Sequence, residues 1–175
     1  MKILNTPFKG LKIVKQINHH DNRGYFKELY KHNLFKNKKF IFWCISKSKK
    51  NVVRGLHIQR KIYQDLFVSV IKGKIFDVAV DLRKNSPTYG KYFSIILSSK
   101  NCKSLYIPPN FAHGFLSLDK ENYVLYSNTK YRSKKYETGL KWNDKNLKIR
   151  WPIKKPILSL KDKKNHEFKN FKLKK

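Results

Sequence analysis

The stretch Val-Val-Arg-Gly-Leu-His-Ile-Gln at 52–59 sets an arginine and a titratable histidine inside an apolar run. Groups of this kind are costly to bury unless they are paired. Arg54 and His57 are therefore either satisfied structural groups or the lining of a cavity that binds something. They lie three residues apart, on opposite faces of a regular strand. Gly55 between them allows a bulge that re-aims one of them inward. Further along, His113 follows two prolines in Pro-Pro-Asn-Phe-Ala-His-Gly-Phe, Tyr126 and Tyr131 flank Ser-Asn-Thr-Lys, and Asp162 closes Pro-Ile-Leu-Ser-Leu-Lys-Asp. These residue types suit general acid–base work. A strand histidine more often ends as a hydrogen-bonded core residue, however, and a tyrosine in a β protein usually packs. Residue type alone leaves both readings open.

Metal binding is the other use of barrel histidines. Metal-binding barrels usually supply a His-x-His pair with a nearby Glu and a later His. Here the position two beyond His57 is Gln59. Two separated histidines without an evident carboxylate partner are too few ligands for a closed zinc or open iron site. No metal is expected, and no other cofactor.

The elements that must hold these residues read as strands. Residues 11–17 alternate apolar and polar, and 39–46 are aromatic and β-branched. Residues 66–82 read as two strands broken by the Lys-Gly-Lys turn at 72–74, and further strands are expected at 92–98, 103–109, 113–118 and 122–131. Turn signals fall at 85–90, 107–114 and 118–122. A short helix is expected only around 30–37. Many short strands at close spacing argue for an all-β sandwich or barrel, and a jelly roll with one or two short helices is the natural form because a small barrel holds one small ligand. No internal repeat or linker is evident. The expectation is one domain over 1–162 followed by a basic C-terminal tail over 163–175.

Composition bounds the function. A chain of 175 residues is long enough for one sizeable core. Lys and Arg number 41 against 11 Asp and Glu, a formal charge of +30. The lysines are scattered, with clusters only at 47–50, 130–135 and the last fifteen residues, and no nucleic-acid-binding signature accompanies them. The charge points to an anionic partner of some kind and away from a dedicated nucleic-acid surface. No apolar run approaches the roughly 20 residues that cross a bilayer, and the N-terminus lacks the apolar core of a signal peptide. Cys44 and Cys102 form no metal spacing or disulfide framework. A cytoplasmic protein without membrane attachment is expected.

Seven ordered motifs carry a resemblance. They are Arg-Gly-Tyr-Phe-Lys-Glu (23–28), residues 46–59, residues 73–92, Leu-Tyr-Ile-Pro-Pro-Asn-Phe-Ala-His-Gly-Phe (105–115), Leu-Tyr-Ser-Asn-Thr-Lys-Tyr (125–131), residues 142–152 and Pro-Ile-Leu-Ser-Leu-Lys-Asp (156–162). Together they make the chain, from about 12 to 162, resemble the dTDP-4-dehydrorhamnose 3,5-epimerase family, metal-independent cupin-type jelly rolls. The resemblance implies a nucleoside-diphosphate 4-keto-6-deoxyhexose substrate whose C3 and C5 hydrogens, both α to the C4 ketone, are removed and returned on the opposite face. It implies His57 as base, Asp162 as the partner of its far ring nitrogen, and Tyr126 as the acid. It places Arg54 and His113 along the sugar and diphosphate, with Arg23, Glu28, Tyr131, Glu137 and Lys161 as further substrate-binding positions. Arg23 and Glu28 would reach the neighbouring subunit's site in a homodimer. Two departures stand out: residues 42–45 are Phe-Trp-Cys-Ile where the family has Gln-Asp-Asn-His, and Leu66 matches the family's enolate-stabilising lysine. They keep open inversion at one carbon only, another nucleotide sugar such as a GDP-4-keto-6-deoxyheptose, or a binding homologue with impaired catalysis.

Overall fold

The structure, a computed structural model, describes residues 1–36 and 38–171. Thirteen strands run β1 (Lys2–Asn5), β2 (Lys12–Lys15), β3 (Ile17–Asp21), β4 (Gly24–Glu28), β5 (Phe42–Lys49), β6 (Val53–Gln59), β7 (Leu66–Lys72), β8 (Lys74–Asp81), β9 (Tyr92–Ser98), β10 (Lys103–Ile107), β11 (Phe111–Ser117), β12 (Glu121–Asn128) and β13 (Glu137–Gly139). One short α-helix, α1 (Leu160–Lys163), and two 3₁₀ turns at His32–Leu34 and Phe168–Asn170 complete the described chain. The helix expected near 30–37 is the first of those turns. No helix among the described residues is long and apolar enough to cross a membrane.

Two antiparallel sheets face each other. The larger has the order β1-β2-β10-β7-β12-β5 and the smaller β13-β6-β11-β8-β9, while β3 and β4 form a separate hairpin. This is the expected cupin-type jelly roll. Period-two alternation sorts each strand's side chains between the two faces of its sheet. Val68, Val70, Leu105 and Val124 from the larger sheet meet Ile75, Ala79, Leu97, Phe111 and Phe115 from the smaller in one core. The other face of the smaller sheet, carrying Leu56, Ile58, Val78, Val80 and Ala112, is covered by Leu140, Leu147, Trp151, Phe168 and Phe171. The break between β7 and β8 falls at Gly73, whose φ of +85° and the nearness of the Glu121 carbonyl oxygen exclude a side chain.

Residues 163–171 pack onto the barrel: His166 bridges Leu140, Asn165 is buried, and Phe171 joins the apolar cluster behind the smaller sheet. The physical reason is that β6, β8 and β11 expose an apolar outer face that Leu140, Leu147 and Trp151 cover only in part. Aromatic residues at 168 and 171 supply the cover despite the surrounding lysines. Residues 172–175 of the expected tail lie outside the described residues.

Candidate active site

The site is built on a distortion of β6. Along the β6–β11 ladder His113 lies opposite His57 and Phe115 opposite Arg54, so three steps on β6 match two on β11. The extra residue is a bulge at Gly55. A Cβ on Gly55 would come within 2.6 Å of the Gly114 Cα, and its φ of +113° strains any other residue. The bulge re-aims the strand: Leu56 and Ile58 pack behind the sheet, and His57 and Arg54 both line a cavity at one end of the barrel. That cavity, about 360 Å³, is also bounded by His113, Tyr126, Glu137, Leu66, Phe42 and Cys44. A wider concavity of about 1250 Å³ elsewhere is lined by seven lysines, Asp119 and Glu121 and holds no histidine or tyrosine, so volume alone does not select the site.

His57 Nε2 donates to Asp162 Oδ1 at 2.5 Å; the histidine side chain is 34% exposed and the aspartate 4%. The acceptor fixes the ring's proton on Nε2 and leaves Nδ1 with the lone pair. Asp162 is held in turn by a helix N-cap: its backbone N–H donates to the Ser159 hydroxyl at 3.0 Å, at the start of α1. Burial pushes the Asp162 carboxyl up, but the hydrogen bond and charge of His57, the Ser159 hydroxyl and the Gly55 backbone N–H outweigh it, and the carboxyl stays below its ordinary range. The segment carrying it is anchored behind β6 by the Val52–Ile157 bridge and by Asn165 Nδ2 donating to the Gly55 carbonyl at 3.3 Å.

Tyr126, on β12, shares a 2.9 Å hydrogen bond with the Ser46 hydroxyl on β5. Its ring stands edge-on to His113 at 6.4 Å. Burial pushes its phenol well above the usual tyrosine range, against the Ser46 hydrogen bond and the Arg54 charge, which pull it down. It is therefore a protonated group beside the cavity at neutral pH. Arg54 is braced by Nε donating to Ser48 Oγ at 2.9 Å and Nη2 to the Lys47 carbonyl at 3.0 Å. His113 Nε2 donates to Asp77 Oδ2 at 2.9 Å in a second pair, 10% and 0% exposed. Glu137 binds both Arg132 and Lys161. Burial would raise its carboxyl, yet the hydrogen bonds and charges of those two cations hold it at about 2.

The structure thus gathers His57, Asp162, Tyr126, Arg54, His113, Glu137 and Lys161 around one end of the barrel. Tyr131 sits at the rim, 67% exposed, with its ring 5.9 Å from that of Phe42. Arg23 and Glu28 are elsewhere, on the β3–β4 hairpin. Arg23 is at its exposed tip, paired with Asp21 at 2.7 Å, and Glu28 pairs with Lys31 at 2.9 Å. Neither lines this chain's own cavity. Sequence reasoning passed over Asp77, Ser46 and Arg132. Asp77 had a signal of the same kind as His57, a charge amid the apolar run 75–80. Ser46 had none, because its partner lies on another strand, and nothing in the sequence marks the pairing of Arg132 with Glu137 five residues on.

Fold and site define a cupin-type jelly-roll protein with a histidine–carboxylate pair and a half-buried tyrosine around one cavity, the equipment for moving protons to and from a bound ligand. Comparison with known proteins narrows this class. The family model described as dTDP-4-dehydrorhamnose 3,5-epimerase matches residues 5–170. The dTDP-4-dehydrorhamnose 3,5-epimerase of Shigella flexneri is 38% identical over 174 residues, covering 96% of each chain. The crystal structure of the enzyme of that name from Elizabethkingia anophelis superposes with a TM-score of 0.90 at 40% identity, covering 97% of each chain. A dTDP-6-deoxy-D-glucose-3,5-epimerase from Legionella pneumophila, in complex with dTDP-4-keto-L-rhamnose, gives 0.94 at 35% identity, covering 98% of this chain and 94% of that one. The chain belongs to the dTDP-4-dehydrorhamnose 3,5-epimerase family.

Proposed function

We propose that the protein is an epimerase that inverts C3, C5 or both of a dTDP-4-keto-6-deoxyhexose. The observation that carries this reading is the His57–Asp162 pair opening on the same cavity as Tyr126. Hydrogens on C3 and C5 are acidified by the C4 ketone. His57 Nδ1 takes the proton, the C–H pair moves into the enolate, and Asp162 stabilises the imidazolium that results. Tyr126 then breaks its O–H bond to deliver a proton to the same carbon from the other face, leaving a phenolate. Arg54 and His113 line the sugar and diphosphate region, with Arg54 suited to a phosphate, and Tyr131, Glu137 and Lys161 shape the nucleotide end.

A homodimer fits the hairpin. A two-stranded ribbon outside both sheets is weakly stable alone, and this one exposes Tyr25 and Phe26 while holding Arg23 and Glu28 away from their own cavity. In the dimer these residues complete the neighbouring copy's site. Two free cysteines suit a reducing cytoplasm.

The test is solvent deuterium entry at C3 and C5 of dTDP-4-keto-6-deoxyglucose. Exchange at both carbons, with inversion, is expected; no exchange at either carbon across a panel of nucleotide sugars overturns the reading. A second reading is favoured by the uncharged wall of Phe42, Cys44 and Leu66, which offers no cation to a keto oxygen. It is inversion at a single carbon, or of a different nucleotide sugar. Exchange confined to one carbon, or seen only with a GDP-4-keto-6-deoxyheptose, selects it.

A further inference from the structure

Tyr126 presents a difficulty that the proton-transfer reading leaves open. A half-buried phenol packed against the rings of His113 and Phe115 holds its proton firmly, and giving it up creates an anion that water reaches poorly. An unpaired buried anion is costly, so the transfer is slow unless something stabilises the phenolate. Among the described residues, the Tyr126 hydroxyl has one hydrogen-bond partner, the Ser46 hydroxyl at 2.9 Å, and Ser46 has no other side-chain partner. The two residues are placed by the β5–β12 ladder, in which Tyr126 lies opposite Cys44 and Ser46 opposite Val124. Ser46 is half-buried and lines the same cavity.

We infer that Ser46 is a positioning residue for Tyr126, donating its hydroxyl hydrogen to the phenolic oxygen. The inference rests on the proposed epimerase reading. With Ser46 donating, the phenol's own proton is left free to point into the cavity, where a ligand carbon would receive it. When that proton leaves, the Ser46 hydrogen bond becomes charge-assisted and strengthens, so it favours the transfer state over the resting phenol. Arg54 acts at longer range in the same direction, and Ser48 and the Lys47 carbonyl hold its guanidinium in place. Ser46 thus acts on the return of the proton and not on its removal, which belongs to His57.

That division predicts an unusual phenotype. If Tyr126 is slow to deliver, the enolate waits on the enzyme, and His57 returns a solvent-exchanged proton to the face it came from. Deuterium then enters without inversion. The experiment measures, at each carbon in deuterated water, the ratio of deuterium entry to inversion for the full-length protein and three variants. In Ser46→Ala this ratio is expected to rise on the order of tenfold, the effect of removing one hydrogen bond to a charged group. Ser46→Thr, which keeps the hydroxyl, is expected to restore the ratio. Ser46→Cys, a weaker donor of similar size, is expected to fall between them and covers the case in which the alanine variant folds poorly. Wild-type exchange with an unchanged ratio in Ser46→Ala and Ser46→Cys overturns the role of Ser46 alone, however far the absolute rates fall. No exchange by the wild-type protein overturns the epimerase reading and this inference with it.

Discussion

Two histidine–aspartate pairs stand on adjacent strands of the smaller sheet, His57–Asp162 and His113–Asp77, with the histidines directly opposite each other in register. Their chemistry on paper is the same. Their surroundings are not. His57 is a third exposed at the cavity wall, while His113 is nearly closed over and Asp77 is fully buried, with one carboxylate oxygen lacking a hydrogen-bond partner among the described residues. Asp162 is a late arrival, delivered by the cap of α1 from 105 residues away, whereas Asp77 comes from the neighbouring strand β8. A general base needs both an orienting carboxylate and an open route to its substrate. His57 has both. His113 has the carboxylate and little opening, and its pair serves to hold the wall.

Substitutions can break this contrast. The largest effect is expected from His57→Asn, which removes the proton acceptor: deuterium entry at both carbons should fall on the order of 10³-fold, with the melting temperature little changed. Asp162→Asn comes next. It leaves the base present but without its orienting anion, and exchange should fall on the order of 10²-fold, measured in the same assay. His113→Asn should show the reverse pattern. Exchange is expected to stay within about tenfold of wild type, while loss of a buried partner costs about 3 kcal/mol of stability. That corresponds to a drop of roughly 6–12 °C in Tm, read by calorimetry. Equal losses of exchange in His57→Asn and His113→Asn would erase the distinction.

The smallest effect is on stability against pH. The Asp162 carboxyl is held below its ordinary value in the folded chain, chiefly by His57 once the opposing effect of burial is overcome. A carboxyl of lowered pKa adds stability above its unfolded value near 3.8 and loses it as the pH falls through the folded value. The stability gap between the wild type and Asp162→Asn, from urea midpoints, should therefore hold steady from neutral pH to about 5 and close below the ordinary carboxylate range. A gap that instead grew with acid would place the stabilising interaction somewhere other than this pair.

What the sequence determined by itself rests on local physics. Alternation at 11–17 marked β2, and short apolar runs bounded by turn signals marked β7, β8, β9, β11 and β12, because both patterns are written residue by residue. Gly55 between Arg54 and His57 announced a bulge, since only a glycine fits where the β11 backbone presses at 2.6 Å. The order of the motifs pointed to the family. The tertiary structure alone decided what depended on distant parts of the chain: that Asp162 reaches His57, that Asp77 closes on His113, that Ser46 meets Tyr126, and that Phe171 covers the outer face of the smaller sheet. Arg23 and Glu28, singled out in the sequence, lie away from the cavity because their hairpin leaves the barrel. A side chain's type and spacing constrain the strand it sits on, but its partner is chosen by strand order and register, and those are set by burying both faces of both sheets at once.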